Sequence, residues 1–204
     1  MKRKSFFSFD TGIGIVGGLT VAFFIIYVAR TFSPIACQLA LSKIQGEFNN
    51  ICNKAVIDYI DSENVDYSDI VKIEQTDGKI RGITTDIPKA NHMKSTITLN
   101  IQDKLEKMEE IWINLPTGGF FGLGGGIKIP VSLISVSYLM TDLESSFESV
   151  GINQTRFSVS AVIKMNGKLL AVGEKNDVKI ETKVPVLMTV IVGDVPNTYV
   201  NVNK

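Results

Sequence analysis

Three groups of side chains could do chemistry in this 204-residue chain: the single histidine His92, the cysteines Cys37 and Cys52, and the carboxylates Asp58, Asp61, Glu63, Asp66 and Asp69. A histidine-based metal cluster or a Ser-His-Asp triad would have to use His92, yet no cysteine lies near it in sequence. Its place in the apolar pattern puts it on the exposed side of a helix, as a surface residue. The two cysteines sit 15 residues apart in a stretch that reads as one helix, which separates them by roughly 22 Å. A disulfide tolerates a Cα separation of only about 4.4–6.8 Å, so a continuous helix excludes an internal bridge, although either thiol could link two chains. Two cysteines are also too few for a disulfide scaffold or a structural zinc site. The five carboxylates could bind a cation or act as a pair in hydrolysis, but their spacing fits no calcium loop, and a solvated helix end accounts for them.

Two glycine-rich segments invite a nucleotide-binding interpretation and fail it. Gly12-Ile-Gly14-Ile-Val-Gly17 matches G-x-G-x-x-G, a fingerprint that requires a strand before it and a helix start after it. Here the match falls inside an apolar span and is coincidental. The segment 117–126 is rich in glycine and uncharged, without the lysine and helix start that a phosphate loop needs. It does carry Phe120, Phe121 and Leu123 near its tip. Those side chains either fold back onto the sheet, which ordinary burial preferences favour, or present an apolar tip to a membrane or a partner protein. The sequence therefore leads us to expect no catalytic residue, no cofactor and no bound metal, with Phe120, Phe121 and Leu123 as a candidate interaction loop.

Charge excludes a further class. Lys plus Arg equals Asp plus Glu, 21 against 21, and residues 31–204 alone carry 17 basic and 20 acidic residues. No basic patch of the kind that binds nucleic acid is present.

Residues 12–29 contain no charge and are bounded by Lys2-Arg3-Lys4 and Arg30. As a helix they span about 27 Å, enough for the hydrocarbon core of a bilayer. The run exceeds the apolar core of a secretory signal and no small-x-small cleavage site follows it cleanly, so it reads as an uncleaved anchor. Pro34-Ile-Ala-Cys37 places a cysteine as in a lipoprotein processing site, but Arg30 interrupts the approach. Basic residues ahead of the span favour a cytoplasmic N-terminus and an outward-facing C-terminal domain. The expected division is 1–11 cytoplasmic, 12–30 transmembrane and 31–204 extracytoplasmic. Gly14 and Gly18 satisfy G-x-x-x-G, the spacing that lets two membrane helices approach closely.

Beyond Pro34, which marks a kink or restart, Cys37, Leu41, Ile44, Phe48, Ile51, Ala55 and Tyr59 recur at helical steps and predict a long juxtamembrane helix ending near Asp61. Ile70–Gln75 and Lys79–Thr85 alternate on either side of Asp77-Gly78, a tight-hairpin signal. A second helix over Pro88–Glu110 aligns Met93, Ile97, Ile101, Leu105 and Met108, and should cover the same sheet. After Ile111–Leu115 and the glycine-rich connection through Pro130 come strands at 131–140, 143–149, 156–165, 168–173 and 177–192, with Asn166-Gly167 as the strongest turn signal among them. The expected fold is α+β: an N-terminal transmembrane helix, a long juxtamembrane helix, then a largely antiparallel sheet covered by helices.

The segments Gly151-Ile-Asn-Gln-Thr155 and Thr189-Val-Ile-Val-Gly-Asp-Val-Pro-Asn-Thr-Tyr199 resemble the YunB family of sporulation proteins. The order of features agrees over nearly the whole chain: anchor, juxtamembrane helix, Asp77-Gly78 hairpin, covering helix and Pro116/glycine-rich loop. The family pattern often carries a histidine shortly after Asn-Gln-Thr and an acidic residue before Thr-Val-Ile-Val-Gly, where this chain has Arg156-Phe157 and Met188. The resemblance implies a role in endospore formation, at the mother-cell or forespore membrane, without an established enzymatic activity. The expected function is that of a single-pass, membrane-anchored structural or interaction component that assembles with other sporulation membrane proteins or with itself. The alternatives are a cell-wall- or lipid-acting enzyme, which requires a cleft with converging acid, base or metal groups, and a ligand-binding sensor, which requires a mostly apolar pocket with a few polar groups.

Overall fold

In a computed structural model, residues 9–63, 65, 71–76, 79–115, 126–151 and 154–192 are described. The first element, α1, is one continuous helix from Phe9 to Ser62, 54 residues with Pro34 inside it. The apolar span and the juxtamembrane helix, expected as separate elements, run together as one helix about 80 Å long. Pro34 removes only the bond its own N–H would have made and crowds the preceding turn, and the turns that follow are held by burial. Counting the described side chains, no helix is long and apolar enough to cross a membrane.

The two halves of α1 meet different surroundings. From Ala36 onward, Ala36, Ala40, Ile44, Phe48, Cys52, Ala55, Val56 and Tyr59 are buried. The expected stripe is thus rotated by about one position, with Cys37, Leu41 and Ile51 on its flank at intermediate exposure. The reason is steric, because the small Ala36 and Ala40 let the helix sit close against its neighbours where Leu41 would hold it away.

After α1 comes an antiparallel hairpin of β1 (Val71–Thr76) and β2 (Lys79–Thr85), which forms its own two-stranded sheet. Asp77-Gly78 lies outside the described residues. The buried Val71 ties this hairpin to the main core. The second helix, α2 (Ile87–Glu106), starts where Asp86 accepts a hydrogen bond from the Lys89 backbone N–H at 3.3 Å, with Pro88 in the first turn. That cap satisfies a donor the helix start would otherwise leave unpaired. Ala90, Met93, Ile97, Ile101 and Leu105 form its buried face. It ends four residues earlier than expected because the chain turns directly into the next strand.

The main sheet is an antiparallel meander of β3 (Ile111–Leu115), β4 (Ile127–Gly151), β5 (Gln154–Ala171) and β6 (Glu174–Val192), in the order β3-β4-β5-β6. Five expected strands become three long ones, and two sequence signals explain the difference. Thr141-Asp142 stays inside β4, where the Thr141 hydroxyl bonds that of Thr98 on α2 at 2.8 Å and Asp142 pairs with Lys94 at 3.3 Å. Asn166-Gly167, expected as a hairpin turn, runs straight through β5, pairing with Tyr138 and Val136 on one side and Lys179 and Val178 on the other. The register of β4 shifts twice around these positions. A Cβ built on Gly167 would lie 2.5 Å from the Ser135 carbonyl oxygen. The glycine therefore serves a close backbone approach at a bulge, the other role of glycine in a strand. The actual turn is Val172-Gly173, flanked by the pair Ala171 and Glu174, with positive φ at both central residues, 54° and 76°. Such a pair of angles matches a type I′ hairpin, which Asn-Gly fits and a β-branched residue does not. The strand β4 also begins earlier than expected, since Ile127–Pro130 already pairs with β3. Pro130 is tolerated there because its other side has no partner until Val131 meets Ala171.

Both helices pack on one face of this sheet, and Phe48, Met93, Ile97, Ile101, Phe157, Ile163, Met165 and Leu169 belong to one core. The opposite face is polar in its middle, with cross-strand pairs Lys164–Glu181 at 3.4 Å, Lys183–Glu144 at 3.1 Å and Arg156–Glu148 at 3.0 Å.

Four outcomes follow from this packing. Gly167→Val is expected to cost about 2 kcal/mol or more through the clash with Ser135, whereas Val172→Asn is expected to add about 1 kcal/mol by relieving the left-handed valine. Urea unfolding of the full chain in mild detergent measures both. Cys52 is fully buried and desolvation pushes its thiol up to about 12, so at pH 8 a maleimide should label Cys37 in the folded chain and reach Cys52 only after denaturation. Above the ordinary thiol range the unfolded chain releases a proton that the folded chain keeps. The Cys52 contribution is therefore complete at neutral pH and declines as pH climbs toward 12, which a pH series of the same unfolding curves reads.

Candidate interaction surface

The chemical groups singled out in the sequence are dispersed. His92 is exposed on α2, its ring 6.5 Å from that of Tyr59 and tilted by 60°. Asp58 is held by Lys104 at 2.6 Å, and this hydrogen bond draws its carboxyl below the usual range. Asp61 and Glu63 are exposed at the end of α1, and Asp66 and Asp69 lie outside the described residues. Among the described residues no three His, Cys, Asp or Glu side chains are placed to hold a metal ion together. Phe120, Phe121 and Leu123 also lie outside the described residues. Gly14 and Gly18 stand one turn apart on the uncovered half of α1, with nothing within 4 Å of a Cβ built on either.

A half-open pocket of about 430 Å³ lies between the end of α1 and the start of α2, lined by Tyr59, Glu63, Val65, Pro88, Lys89, Ala90, His92 and Met93. It combines an apolar wall with three polar side chains.

The register gives the sheet two distinct ends. At one end, Arg30, Ser33, Pro34 and Cys37 of α1 share a pocket with Val172, Glu174 and Asn176, and Asn176 donates to the Cys37 Sγ at 3.5 Å. Because Val131 is level with Ala171, the β3–β4 pairing continues past the Val172-Gly173 turn to Leu115 and Ile127. The roots of the 116–125 loop therefore lie at this end, together with Trp112 and Ile127, which are 57% and 58% exposed. Beyond it, the uncovered half of α1 exposes Ile15, Val16, Leu19, Val21, Phe23, Phe24, Ile26 and Tyr27, each between 55% and 73%.

At the other end, the two segments that carry the family resemblance meet. Gln154 pairs with Val192 and Thr155 with Ile191, so Gly151–Thr155 and the start of Thr189–Tyr199 form one corner. Phe147 stacks on Phe157 there, ring centroids 4.8 Å apart. Met188, Val190 and Val192 stand exposed on the outer face of the same corner. Sequence inspection missed this surface, although a signal was present: between Lys183 and Asp194 the chain carries no charge, and an uncharged strand end with one face uncovered has nothing to shield it.

Comparisons with known proteins fall on this same region. The family model described as Sporulation protein YunB matches residues 113–198, from β3 through the corner. A curated relative, Sporulation protein YunB of Bacillus subtilis (strain 168), is 24% identical over 204 positions that cover 89% of this chain and 80% of the relative. No solved structure matches. The family match takes in the far corner of the sheet, and the chain is similar to the YunB family of sporulation proteins.

Proposed function

We propose that the protein is a single-pass membrane component of endospore formation that works by holding and assembling a folded domain at the membrane surface, without catalysis. The observation that carries this is the uncovered half of α1, where eight large apolar side chains are more than half exposed on a helix that leaves the domain. Withdrawing them from water is worth on the order of 10 kcal/mol, which a bilayer supplies. The described side chains by themselves form too short an apolar stretch to span, and the sequence adds Ile13, Ile25, Val28 and Ala29 to the same run. The polar side chains within this half suit a bilayer too. The Thr20 hydroxyl donates to the Val16 or Gly17 carbonyl at 3.0 or 2.8 Å, and Thr31 to the Tyr27 carbonyl at 2.8 Å, so the helix itself satisfies their donors.

The same end of the sheet carries features of a membrane interface. Val172 shares a pocket with Arg30, Trp112 and Ile127 are exposed at the same end of the sheet, and aromatic and basic residues favour the headgroup region. Rooted here, the loop tip with Phe120, Phe121 and Leu123 is read as a membrane-facing or partner-facing element. Lys2-Arg3-Lys4 on the other flank favours a cytoplasmic N-terminus, with the domain extracytoplasmic, at the mother-cell or forespore membrane. Partners are other sporulation membrane proteins or further copies of this chain, and Gly14 and Gly18 offer a face for helix packing within the bilayer.

A second reading, a ligand-binding sensor, rests on the pocket at Tyr59 and His92, whose apolar wall and few polar groups suit a small molecule. The enzyme reading would have to use the same pocket, where Glu63, Lys89 and His92 are the titratable groups on an otherwise mostly apolar lining.

The full chain is expected to remain in the membrane fraction through alkaline carbonate extraction, and removal of residues 1–30 to release it. A soluble full-length product would end the anchor proposal. Trp112 is the single tryptophan, so its emission should shift to the blue on reconstitution into vesicles and be quenched by brominated lipid. In sporulating cells, a pull-down of the full chain beside Phe121→Glu tests the loop, and equal recovery of partners by both would remove it from the interaction surface.

A further inference from the structure

The strand β6 is an edge of the main sheet, and among the described residues nothing pairs with its outer side. Natural edge strands carry charges, prolines or bulges that discourage a second strand. The first half of β6 follows this rule, with Lys175, Lys179 and Lys183 exposed along it. The second half does not. After Pro185 and a register shift, Val186-Leu-Met-Thr-Val-Ile-Val192 is uncharged, and Met188, Val190 and Val192 are 62%, 49% and 68% exposed. The other open edge near this corner, the end of β4, carries Glu144 and Glu148 and would repel its own kind.

We infer that Val186–Val192 is a docking edge for the same strand of a second copy, paired antiparallel about a two-fold axis at Thr189, and that the resulting dimer joins two membranes. This inference rests on the anchor proposed above. Self-pairing is favoured by the sequence of the strand. A two-fold axis perpendicular to the sheet keeps each residue on its own face, so the register must centre on a residue. Centred on Thr189, it sets Leu187 opposite Ile191 of the other copy, Met188 opposite Val190 and Thr189 opposite Thr189, placing no charge against any other. A parallel arrangement would instead set the Lys183 ammonium of one copy beside that of the other.

The direction of the anchors follows from the register. Ser33 of α1 donates to Glu174 at the start of β6 at 3.5 Å, and Thr189 lies 15 residues further along the strand, roughly 50 Å away. Antiparallel pairing at Thr189 then sets the two anchored ends about 100 Å apart and pointing in opposite directions. Two copies in one membrane, whose strands run the same way, cannot form it. A seven-residue edge is shorter than a standard interface of about 1,600 Å², so single pairs are weak and act together between two surfaces that each carry many copies.

The experiment uses the full chain with Cys37→Ser, in two sizes distinguished by a tag, reconstituted separately into vesicles of phosphatidylethanolamine and phosphatidylglycerol that are then mixed. Adding Thr189→Cys should give a disulfide dimer containing one chain of each size, and Lys179→Cys should not. Vesicle clustering, followed by light scattering, should fall roughly tenfold or more with Val190→Lys, which sets an ammonium against Met188 of the other copy, while the urea midpoint stays unchanged. Chains that float with the vesicles yet form no mixed dimer through Thr189→Cys, or cluster equally with Val190→Lys, overturn the inference and leave the anchor standing. Chains that do not float overturn both.

Discussion

The burial of one face of α1 between Ala36 and Tyr59 is the constraint on which the rest of the molecule depends. It seats the helix against the sheet and α2, and because the helix is unbroken from Phe9 to Ser62, it also fixes how the uncovered apolar half leaves the domain. No flexible linker intervenes. A domain docked on a continuous helix has its orientation relative to the uncovered apolar half set by helical geometry, which distinguishes the end at Val172-Gly173, nearer that half, from the far corner at Gln154 and Val192.

The sheet turns this orientation into reach. Long antiparallel strands carry side-chain pairs from one end to the other, and bulges at the β4 register shifts and at Val186 absorb the irregularities that such length accumulates. The exposed ion pairs along the outer face contribute little each to stability. Their effect is to keep that part of the outer face solvated. One end exposes Trp112, Ile127 and Val172, and the other holds the uncharged end of β6.

The elements of this fold were legible where a local pattern had a single structural solution. Met93, Ile97, Ile101 and Leu105 could only be one side of a helix, and Pro88 marked its start to within one residue. The stripe of α1 was legible to within one position, the displacement coming from Ala36 and Ala40, whose small size mattered only once a neighbour was present. Asn166-Gly167 misled because glycine answers two demands, positive φ and the absence of a side chain, and only the neighbouring strand reveals which is being met. Val172-Gly173 was invisible for the converse reason, since nothing local recommends a valine at positive φ and the pairing on both sides imposes it.

The sequence by itself determined the composition of an uncharged apolar span, the two covering helices, an antiparallel α+β class and the resemblance to YunB proteins, because periodicity, charge and short motifs are local properties. Tertiary structure alone decided that span and juxtamembrane helix form one rod, that Gly151–Thr155 and Thr189–Val192 share a corner, and that the uncharged end of β6 lies on an open edge. Each of these depends on strand order and register, which bring together residues tens of positions apart through pairing energies that no local pattern encodes.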